Sequence, residues 1–279
     1  MMKFEKMHAA GNDYIYINLF KEQVDDPAGL SRKLSDRHFG VGGDGIVLIG
    51  PADEGDFSMH MYNADGSESE MCGNAARCVG KYLYEKGLTQ KKKIDLWTGS
   101  GIKPLLLTVN PGTNKVERIR VDMGEALFSS DDAARSQVSL PHMTDCPLRI
   151  EDQLYSLTFV SMGNPHVVIF MNDIDQLDIE KIGPKIENHP LFPERTNVEF
   201  IEVIHDTSIK MRVWERGSGE TMACGSGACA AVVAGVVTGR CEPKTSVQLK
   251  GGTLEVEWNQ AKNRVFLTGD AHFVYKGEV

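Results

Sequence analysis

Three features are missing from this 279-residue sequence: a long apolar run, an excess of positive charge, and closely spaced cysteine pairs. The longest apolar run, residues 228–237, is too short to cross a bilayer, and residues 1–8 contain no apolar export segment. We therefore expect a cytoplasmic protein that does not enter the membrane. A formal net charge of −9 argues against nucleic acid or an anionic membrane surface as the main partner, which leaves a small soluble substrate.

The six cysteines lack the spacing of a redox pair or a zinc site. Cys72 and Cys78, and likewise Cys224 and Cys229, are too far apart for a CxxC motif, and the nearby histidines complete no zinc pattern. We expect reduced thiols and no bound metal. The GxGxxG match at residues 40–45 precedes a strand instead of linking a strand to a helix, so it is interpreted as a turn. The sequence therefore predicts a protein that works without a cofactor.

The chain contains an internal duplication at a shift of 152 residues, which places Cys72 on Cys224. The matches cluster at Asn, Gly and Cys, whereas identity elsewhere along the shift is low. The sequence therefore predicts two halves of similar fold, residues 1–124 and 125–267, with an active site in the cleft between them. Residues from about 268 to 279 are expected to pack on the first half. The same shift places Gly11-Asn12 on Gly163-Asn164, Gly45 on Asn197, Asn63 on Glu215 and Glu68 on Glu220.

Both halves combine β-branched and aromatic runs, which favour strands, with one central apolar helix. The helix after Cys224 is apolar on every face, so a sheet must surround it. We expect an α/β fold of the α+β kind, in which each half is a mixed, strand-rich sheet around a central helix, with a polar linker at residues 129–136. The predicted helices cover residues 30–37, 73–86, 179–188 and 225–237, with Gly87 and Gly239 as C-terminal stops. The predicted strands cover residues 13–17, 45–49, 57–62, 103–109, 119–121, 155–160, 166–170, 198–203, 209–214, 246–249, 253–258 and 265–268.

Cys72 and Cys224 each directly precede a predicted helix, and this position indicates chemistry. A thiol at a helix N-terminus faces backbone N–H groups and the positive end of the helix dipole, which favour the thiolate. Two such thiols suit a two-base proton transfer, in which one thiolate removes a Cα proton and the other thiol returns a proton to the opposite face. The remaining cysteines are expected to be inert core residues: Cys78, Cys146, Cys229 and Cys241.

Four short sequence blocks are distributed along most of the chain. They are residues 8–13 (HAAGND), 71–78 (MCGNAARC), 163–166 (GNPH) and 215–227 (ERGSGETMACGSG). Together these blocks closely resemble the diaminopimelate epimerase family. The resemblance implies a two-domain epimerase fold and an isomerase that interconverts LL- and meso-2,6-diaminopimelate without pyridoxal phosphate, in lysine biosynthesis and on the route to peptidoglycan precursors. It also implies that Cys72 and Cys224 are the two acid/base thiols.

The same resemblance implies a set of contacts to the substrate, diaminopimelate. Backbone N–H groups at the starts of the two cysteine helices would bind the reacting carboxylate. His166 and Glu215 are expected to tune or orient the thiols, and Arg216 is expected to help recognise the second amino acid head group. The implied substrate-binding residues are Asn12, Asn63, Gly73, Asn74, Asn164, Asn197, Glu215, Arg216, Gly225 and Ser226.

One position departs from the family pattern, and several features have simpler explanations. Some relatives carry Gln where this chain has Gly45, so any contact from that side chain is absent here. The asparagines of the predicted site are also typical turn or cap residues, and Glu215-Arg216 also fits a surface ion pair. His8 and His60 are expected to be ordinary structural or exposed residues. Residues 91–93 (KKK) are expected to be a solvated loop.

Three alternative functions remain open. A proline racemase or hydroxyproline epimerase would keep the fold and the two thiols but change the substrate, and the blocks at residues 71–74 and 215–217 argue against it. A thiol/disulfide oxidoreductase or redox sensor would use Cys72 and Cys224 as partners, although a CxxC pattern is lacking. A non-enzymatic binding module would leave two reactive thiols unexplained.

The oligomeric state is not determined by the sequence, and a homodimer is one possible arrangement.

Overall fold

The computed structural model describes residues 1–128 and 143–279. The linker predicted at residues 129–136 lies outside the described residues. The chain divides into two compact units, one formed by Met1–Asp122 with Thr268–Val279 and the other by Met123–Leu267. Across the described ranges, every helix is too short or too polar to cross a membrane.

The first unit is a mixed sheet that packs on a central helix. Its elements are β1 (Lys3–Ala9), β2 (Asn12–Asn18), α1 (Pro27–Ser35), β3 (Gly45–Gly50), β4 (Phe57–Asn63), β5 (Glu68–Ser69), α2 (Gly73–Glu85), β6 (Lys93–Thr98), β7 (Gly101–Val109), β8 (Val116–Gly124) and β18 (His272–Glu278). The strands follow the order β18-β1-β2-β3-β4-β6-β7-β8, in which β2 runs parallel to β3 and β4 runs parallel to β6. The central helix α2 contacts β1, β2 and β7.

The second unit repeats this plan around its own central helix. Its elements are β9 (Cys146–Ile150), β10 (Gln153–Ser161), β11 (Pro165–Phe170), α3 (Ile179–Glu187), β12 (Asn197–His205), β13 (Ser208–Glu215), β14 (Gly219–Glu220), α4 (Gly225–Val237), β15 (Lys244–Leu249), β16 (Gly252–Asn259) and β17 (Arg264–Gly269). The order β9-β10-β11-β12-β13-β15-β16 again contains two parallel pairs, β11 with β12 and β13 with β15. Short 3₁₀ turns lie at Ile174–Gln176 and Gln260–Lys262.

The internal duplication is visible in the element bounds and in the strand register. A shift of 152 residues superimposes α1 on α3 and α2 on α4 at both ends of each helix. The parallel pairs keep one register, since Tyr14 lies opposite Gly45 and His166 lies opposite Asn197. The predicted α+β fold with two repeated halves is therefore confirmed.

The central helix of the second unit is buried on all sides over most of its length. Every residue of α4 from Ala228 to Ala234 is fully inaccessible to solvent. Strands β10, β11, β12, β15 and β16 all contact this helix. The expectation of a helix enclosed by a sheet is confirmed, and it follows from the absence of any polar stripe on α4.

The predicted helix bounds hold within one residue for three of the four helices, and α1 is the exception. It begins at Pro27 instead of residue 30 and ends at Ser35 instead of residue 37. The side chain of Asp26 accepts a hydrogen bond from the backbone N–H of Gly29 at 2.9 Å, which caps the first turn. Proline is favoured at this first position because its missing N–H would have no intrahelical partner.

Six of the described strands were not predicted: β1, β6, β9 and β18, and the two-residue strands β5 and β14. Lys93 lies in the predicted loop at residues 91–93, but it begins β6 and pairs with Leu106. Strand β18 is largely exposed and has little hydrophobic alternation. Its place in the sheet comes from pairing with β1 at the opposite end of the chain, which a local pattern does not reveal.

Candidate active site

Both cysteines of interest occupy the position just before a buried helix. Cys72 is the N-cap of α2 and Cys224 is the N-cap of α4, each with an extended backbone. Their carbonyl groups accept the first helical hydrogen bonds, from Ala76 at 2.9 Å and from Ala228 at 3.0 Å. Cys72 is half-buried, whereas Cys224 is 6% exposed. The two thiols therefore start equivalent helices but differ in their access to solvent.

The Cys72 centre consists of Cys72, Asn12 and Asp44. The Cys72 thiol donates to Oδ1 of Asn12 at 3.4 Å. The amide nitrogen of Asn12 donates to Oδ2 of Asp44 at 2.7 Å, and this oxygen also accepts from the backbone N–H of Asp13 at 3.0 Å. Asp44 thus fixes which end of the Asn12 amide faces the sulfur.

A charged cluster supports the Cys72 centre. Buried Lys6 pairs with Asp13 at 2.6 Å and donates to the carbonyl of Gly42, while Arg37 bridges Asp13 and Asp44. Burial tends to raise the pKa of Asp13, but hydrogen bonds from Arg37 and Lys6 outweigh it and lower that pKa. Burial, together with the neighbouring Asp13 carboxylate, raises the pKa of Asp44. The cluster therefore holds two adjacent carboxylates in unequal environments.

The other predicted residues of the first unit have different surroundings. Asn63 ends β4, and its amide donates to the hydroxyl of Ser67 at 3.0 Å. Asn74 is 2% exposed, and its Oδ1 accepts from buried Arg77 at 2.9 Å. The Asn74 side chain is thus committed to the interior, and the backbone of Gly73 and Asn74 is the part of this turn that remains suited to an anion.

The Cys224 centre consists of Cys224, Ser226, Asn164, His166, Glu199 and Glu215. A chain of contacts begins at the sulfur, which lies 3.5 Å from the hydroxyl of Ser226. The amide of Asn164 donates to that hydroxyl at 3.4 Å, and Oδ1 of Asn164 lies 3.0 Å from Nε2 of His166. Nδ1 of His166 then lies 2.7 Å from Oε1 of Glu199.

Glu215 lies beside the same sulfur. The hydroxyl of Thr221 and the Cys224 thiol both hydrogen-bond to the Glu215 carboxylate. Burial, and then the nearby Glu199 carboxylate, raise the pKa of Glu215. Glu215, His166 and Cys224 therefore lie in one neighbourhood of the second unit.

The ionisation of Cys224 differs from the expectation for a thiol at a helix N-terminus. The backbone N–H of Gly227 donates to the sulfur at 3.3 Å, as the helix start predicts, and this contact favours the thiolate. Burial and the carboxylates of Glu215 and Glu199 act in the opposite direction and raise the pKa of Cys224 well above its ordinary value. Desolvation and like charge therefore outweigh the helix dipole, and Cys224 is a neutral thiol at neutral pH.

Asn197 and Arg216 lie at the edge of this centre. Asn197 begins β12 opposite His166, and its amide donates to the carbonyl of Pro165 at 2.9 Å. Its Oδ1 accepts from the backbone N–H of Arg216 at 3.0 Å. The Arg216 side chain is exposed and donates from Nη1 to the carbonyl of Glu194 at 3.0 Å. A guanidinium on a fixed backbone position can still bind a carboxylate through its remaining N–H groups.

Sequence reasoning missed three residues that organise these centres: Asp44, Glu199 and Thr221. Asp44 was assigned to a turn, and its carboxylate instead orients Asn12. Glu199 lies within the otherwise apolar segment at residues 198–201, and a charge in such a segment is the signal that identifies it. Thr221 carries no comparable signal. The four cysteines expected to be inert are buried, and burial raises the pKa of Cys78 to about 12.

Solved structures of low sequence identity share this fold. A hydroxyproline epimerase from Agrobacterium vitis, solved with bound trans-4-hydroxy-L-proline, matches with a TM-score of 0.70 at 15% identity and covers 100% of this chain and 90% of its own. A phenazine biosynthesis protein of the PhzF family from Bacillus anthracis matches with a TM-score of 0.71 at 16% identity, covering 100% of this chain and 98% of its own.

Comparison of sequences gives a much closer relationship. A diaminopimelate epimerase from Acetivibrio thermocellus is 52% identical over 278 residues, covering 100% of this chain and 98% of that protein. The diaminopimelate epimerase from Desulfovibrio desulfuricans is 51% identical over 282 residues, covering 99% of this chain and 98% of that protein. The family model described as diaminopimelate epimerase matches residues 4–129 and 158–274. With about half of all residues shared along its whole length, this chain belongs to the diaminopimelate epimerase family.

Proposed function

We propose that this protein is a cofactor-independent epimerase that interconverts LL- and meso-2,6-diaminopimelate, with Cys72 and Cys224 as acid and base on opposite faces of the reacting α carbon. The observation that supports it best is the pair of cysteines, each the N-cap of an equivalent buried helix in a duplicated fold. Membership of the diaminopimelate epimerase family supplies the substrate.

The two thiols have complementary tasks in this reaction. In one direction the sulfur of Cys72 accepts the Cα proton as a thiolate, and the neutral thiol of Cys224 donates a proton to the other face. In the reverse direction the roles exchange, so the configuration inverts each way without a net change in protonation. The raised pKa of Cys224 supports its role as the proton donor of the resting enzyme.

The starts of α2 and α4 serve the substrate carboxylate in this proposal. A Cα–H beside a carboxylate becomes acidic only when the negative charge that develops is stabilised. The backbone N–H groups of Gly73, Asn74, Gly225 and Ser226 lie in the first turns of these helices and supply that stabilisation.

The remaining predicted residues recognise the rest of the substrate. Exposed Arg216 pairs with a carboxylate, and half-buried Glu215 is placed to meet an ammonium group or the thiol. Asn12, Asn63, Asn164 and Asn197 supply amide hydrogen bonds to the head groups. Such polar sites reject analogues that lack the matching group, because their own polar atoms would lose a partner.

The proposed cellular role follows from the substrate. A diaminopimelate epimerase serves lysine biosynthesis and the supply of peptidoglycan precursors, and a cytoplasmic location fits both. A homodimer is compatible with the proposal, which does not require a residue from a second copy.

Deuterium exchange tests the proposal directly. Purified protein is incubated with LL-diaminopimelate in deuterated water without pyridoxal phosphate, and the expected product is meso-diaminopimelate that carries deuterium at one α carbon. Proline and trans-4-hydroxyproline are the comparison substrates, and exchange on these alone would instead support a proline racemase-type enzyme. Absence of exchange on all three would overturn the epimerase proposal.

A further inference from the structure

Glu199 is a carboxylate inside the core of the second unit. It lies on β12 and is 0% exposed, as is His166 on the neighbouring strand β11. The strands are parallel, with His166 opposite Asn197 and Val168 opposite Glu199. Side chains alternate between the faces of a strand, so Glu199 and His166 share one face of the sheet.

The two oxygens of this carboxylate have unequal surroundings. Oε1 lies 2.7 Å from Nδ1 of His166, while Oε2 has no hydrogen-bond partner among the described residues. A buried carboxylate with one free oxygen is costly to maintain, and such groups persist mainly where they have a task.

A glycine makes room for this carboxylate beside helix α4. A Cβ added to Gly227, in the first turn of α4, would lie 2.6 Å from Oε1 of Glu199 and 3.2 Å from the sulfur of Cys224. The first distance is shorter than atoms tolerate. The carboxylate and the sulfur thus lie on two sides of one small gap, which exists because residue 227 has no side chain.

The first unit shows what the fold does without this carboxylate. At the shift of 152 residues, the counterpart of Glu199 is Val47 and the counterpart of Gly227 is Ala75, and both are fully buried. The same strand and helix therefore pack with an apolar side chain and a methyl group. Neither the carboxylate nor the gap is a requirement of the fold.

We propose that Glu199 is a positioning residue of the Cys224 centre, which fixes the His166 ring through Nδ1 and places a second carboxylate beside the Cys224 sulfur. This inference rests on the proposed function and adds a residue to it. The His166 ring, held from Nδ1, in turn fixes the contact of Nε2 with Asn164 and so the chain through Ser226 to the sulfur.

The charged and polar groups around the sulfur set the direction of the effect. They are the carboxylates of Glu215 and Glu199, the hydroxyl of Ser226 and the N–H of Gly227, with His166 next to both carboxylates. Removal of one negative charge favours the thiolate, so the pKa of Cys224 falls. The Cys224 thiol then ionises at a lower pH, above which it can no longer donate a proton.

Three variants test the proposal. Glu199→Gln keeps the shape of the side chain and removes the charge. Gly227→Ala pushes the carboxylate away with a methyl group. Glu199→Val combined with Gly227→Ala reproduces the Val47 and Ala75 pair of the first unit, which relieves the crowding without restoring the carboxylate. Glu202→Gln is the matched control, because Glu202 is a half-buried carboxylate on the same strand that accepts from the backbone of Ile174.

Activity is measured as kcat/KM against pH in both directions of the reaction. For Glu199→Gln we expect a loss of about tenfold to a hundredfold and a basic limb moved down by about one pH unit. Gly227→Ala should lose activity and melt at a lower temperature, and the double variant should recover the melting temperature but not the activity. Recovery of both, or a wild-type profile in Glu199→Gln, overturns the proposal.

Nitrogen-15 NMR of labelled histidine gives a readout that does not need turnover. His166 is assigned by its disappearance in His166→Gln. We expect a protonated Nδ1 in the wild-type protein, in Glu202→Gln and in Glu199→Gln, whose amide oxygen can still accept from Nδ1, and loss of this signature in the variant that combines Glu199→Val with Gly227→Ala. An unprotonated Nδ1 in the wild-type protein contradicts the inference. If the wild-type protein fails to epimerise diaminopimelate while the NMR result holds, the proposed function fails and the Glu199 contact stands.

Discussion

Asn12 accepts a hydrogen bond from the Cys72 thiol at 3.4 Å, so the amide oxygen and not the amide nitrogen faces the sulfur. Asp44 sets this orientation, because its carboxylate accepts a hydrogen bond from the Asn12 amide nitrogen at 2.7 Å. An amide has two chemically different ends, and a carboxylate accepts only from the nitrogen end. Asp44 therefore acts on Cys72 through Asn12.

Replacement of Asp44 tests this relationship. In Asp44→Ala the Asn12 amide loses its anchor and can present either end to the sulfur. We expect kcat for diaminopimelate epimerisation to fall about fivefold to thirtyfold, which corresponds to one lost hydrogen bond of about 1–2 kcal/mol. Steady-state kinetics measure the effect, and Asp53→Ala, an exposed acidic position in the same unit, is the control. Equal rates in the two variants would exclude this role of Asp44.

The two cysteines should be individually essential to epimerisation. Cys72→Ala and Cys224→Ala each remove one of the two proton carriers, and we expect losses of about a thousandfold or more in both directions. The assay is the formation of meso-diaminopimelate from LL-diaminopimelate. Cys229→Ala is the matched control, because Cys229 is fully buried one turn further along the helix that Cys224 caps. It should keep its activity and lose about 1 kcal/mol of stability.

The elements that the sequence predicted well are those with local signals. The helices α2 and α4 begin at the glycine of a Cys-Gly pair and end before Gly87 and Gly239, and both were found within one residue of the prediction. Strand β18 has no such signal, because it is largely exposed and depends on a partner strand at the other end of the chain. Pairing over such a separation is a property of the fold and not of a local window.

The candidate site likewise contains features that the sequence identified and features that it did not. Glycine and cysteine patterns identified the helix starts, and the duplication related the asparagines. The ionisation of Cys224 could not be predicted, because the helix dipole is visible in the sequence while burial and the approach of Glu199 are not. Those two effects depend on β12 lying against α4, which only packing determines.

The ion pair of Lys6 and Asp13 should stabilise the first unit in a pH-dependent way. The pKa of Asp13 is lower in the folded protein than in the unfolded chain, so its stabilising contribution is complete above the unfolded pKa of about 4. It is lost as the pH falls through the lower folded pKa. Melting temperatures between pH 3 and pH 7 should therefore decline toward acid less steeply in Asp13→Asn than in the wild-type protein.

The same pair predicts a coupling between two substitutions. Asp13→Asn leaves the buried ammonium of Lys6 without its carboxylate, and we expect a loss of about 3–5 kcal/mol in the free energy of unfolding at pH 7. Adding Lys6→Met removes the buried charge and should recover part of that loss. Denaturant unfolding of both single variants and the double variant measures the coupling, and strictly additive losses would show that the pair does not act as a unit.

A close approach in the second unit gives a prediction for stability alone. A Cβ added to Gly183 in α3 would lie 2.5 Å from the ring of Trp214, so the helix packs on β13 at a distance that only glycine allows. We expect Gly183→Ala to lower the free energy of unfolding by about 1–3 kcal/mol through overpacking. Gly112→Ala is the control, since a Cβ there meets only the Asn110 side chain at 3.4 Å. Its stability should change by less than about 0.5 kcal/mol, and an equal loss in both variants would show that the Trp214 contact is not the cause.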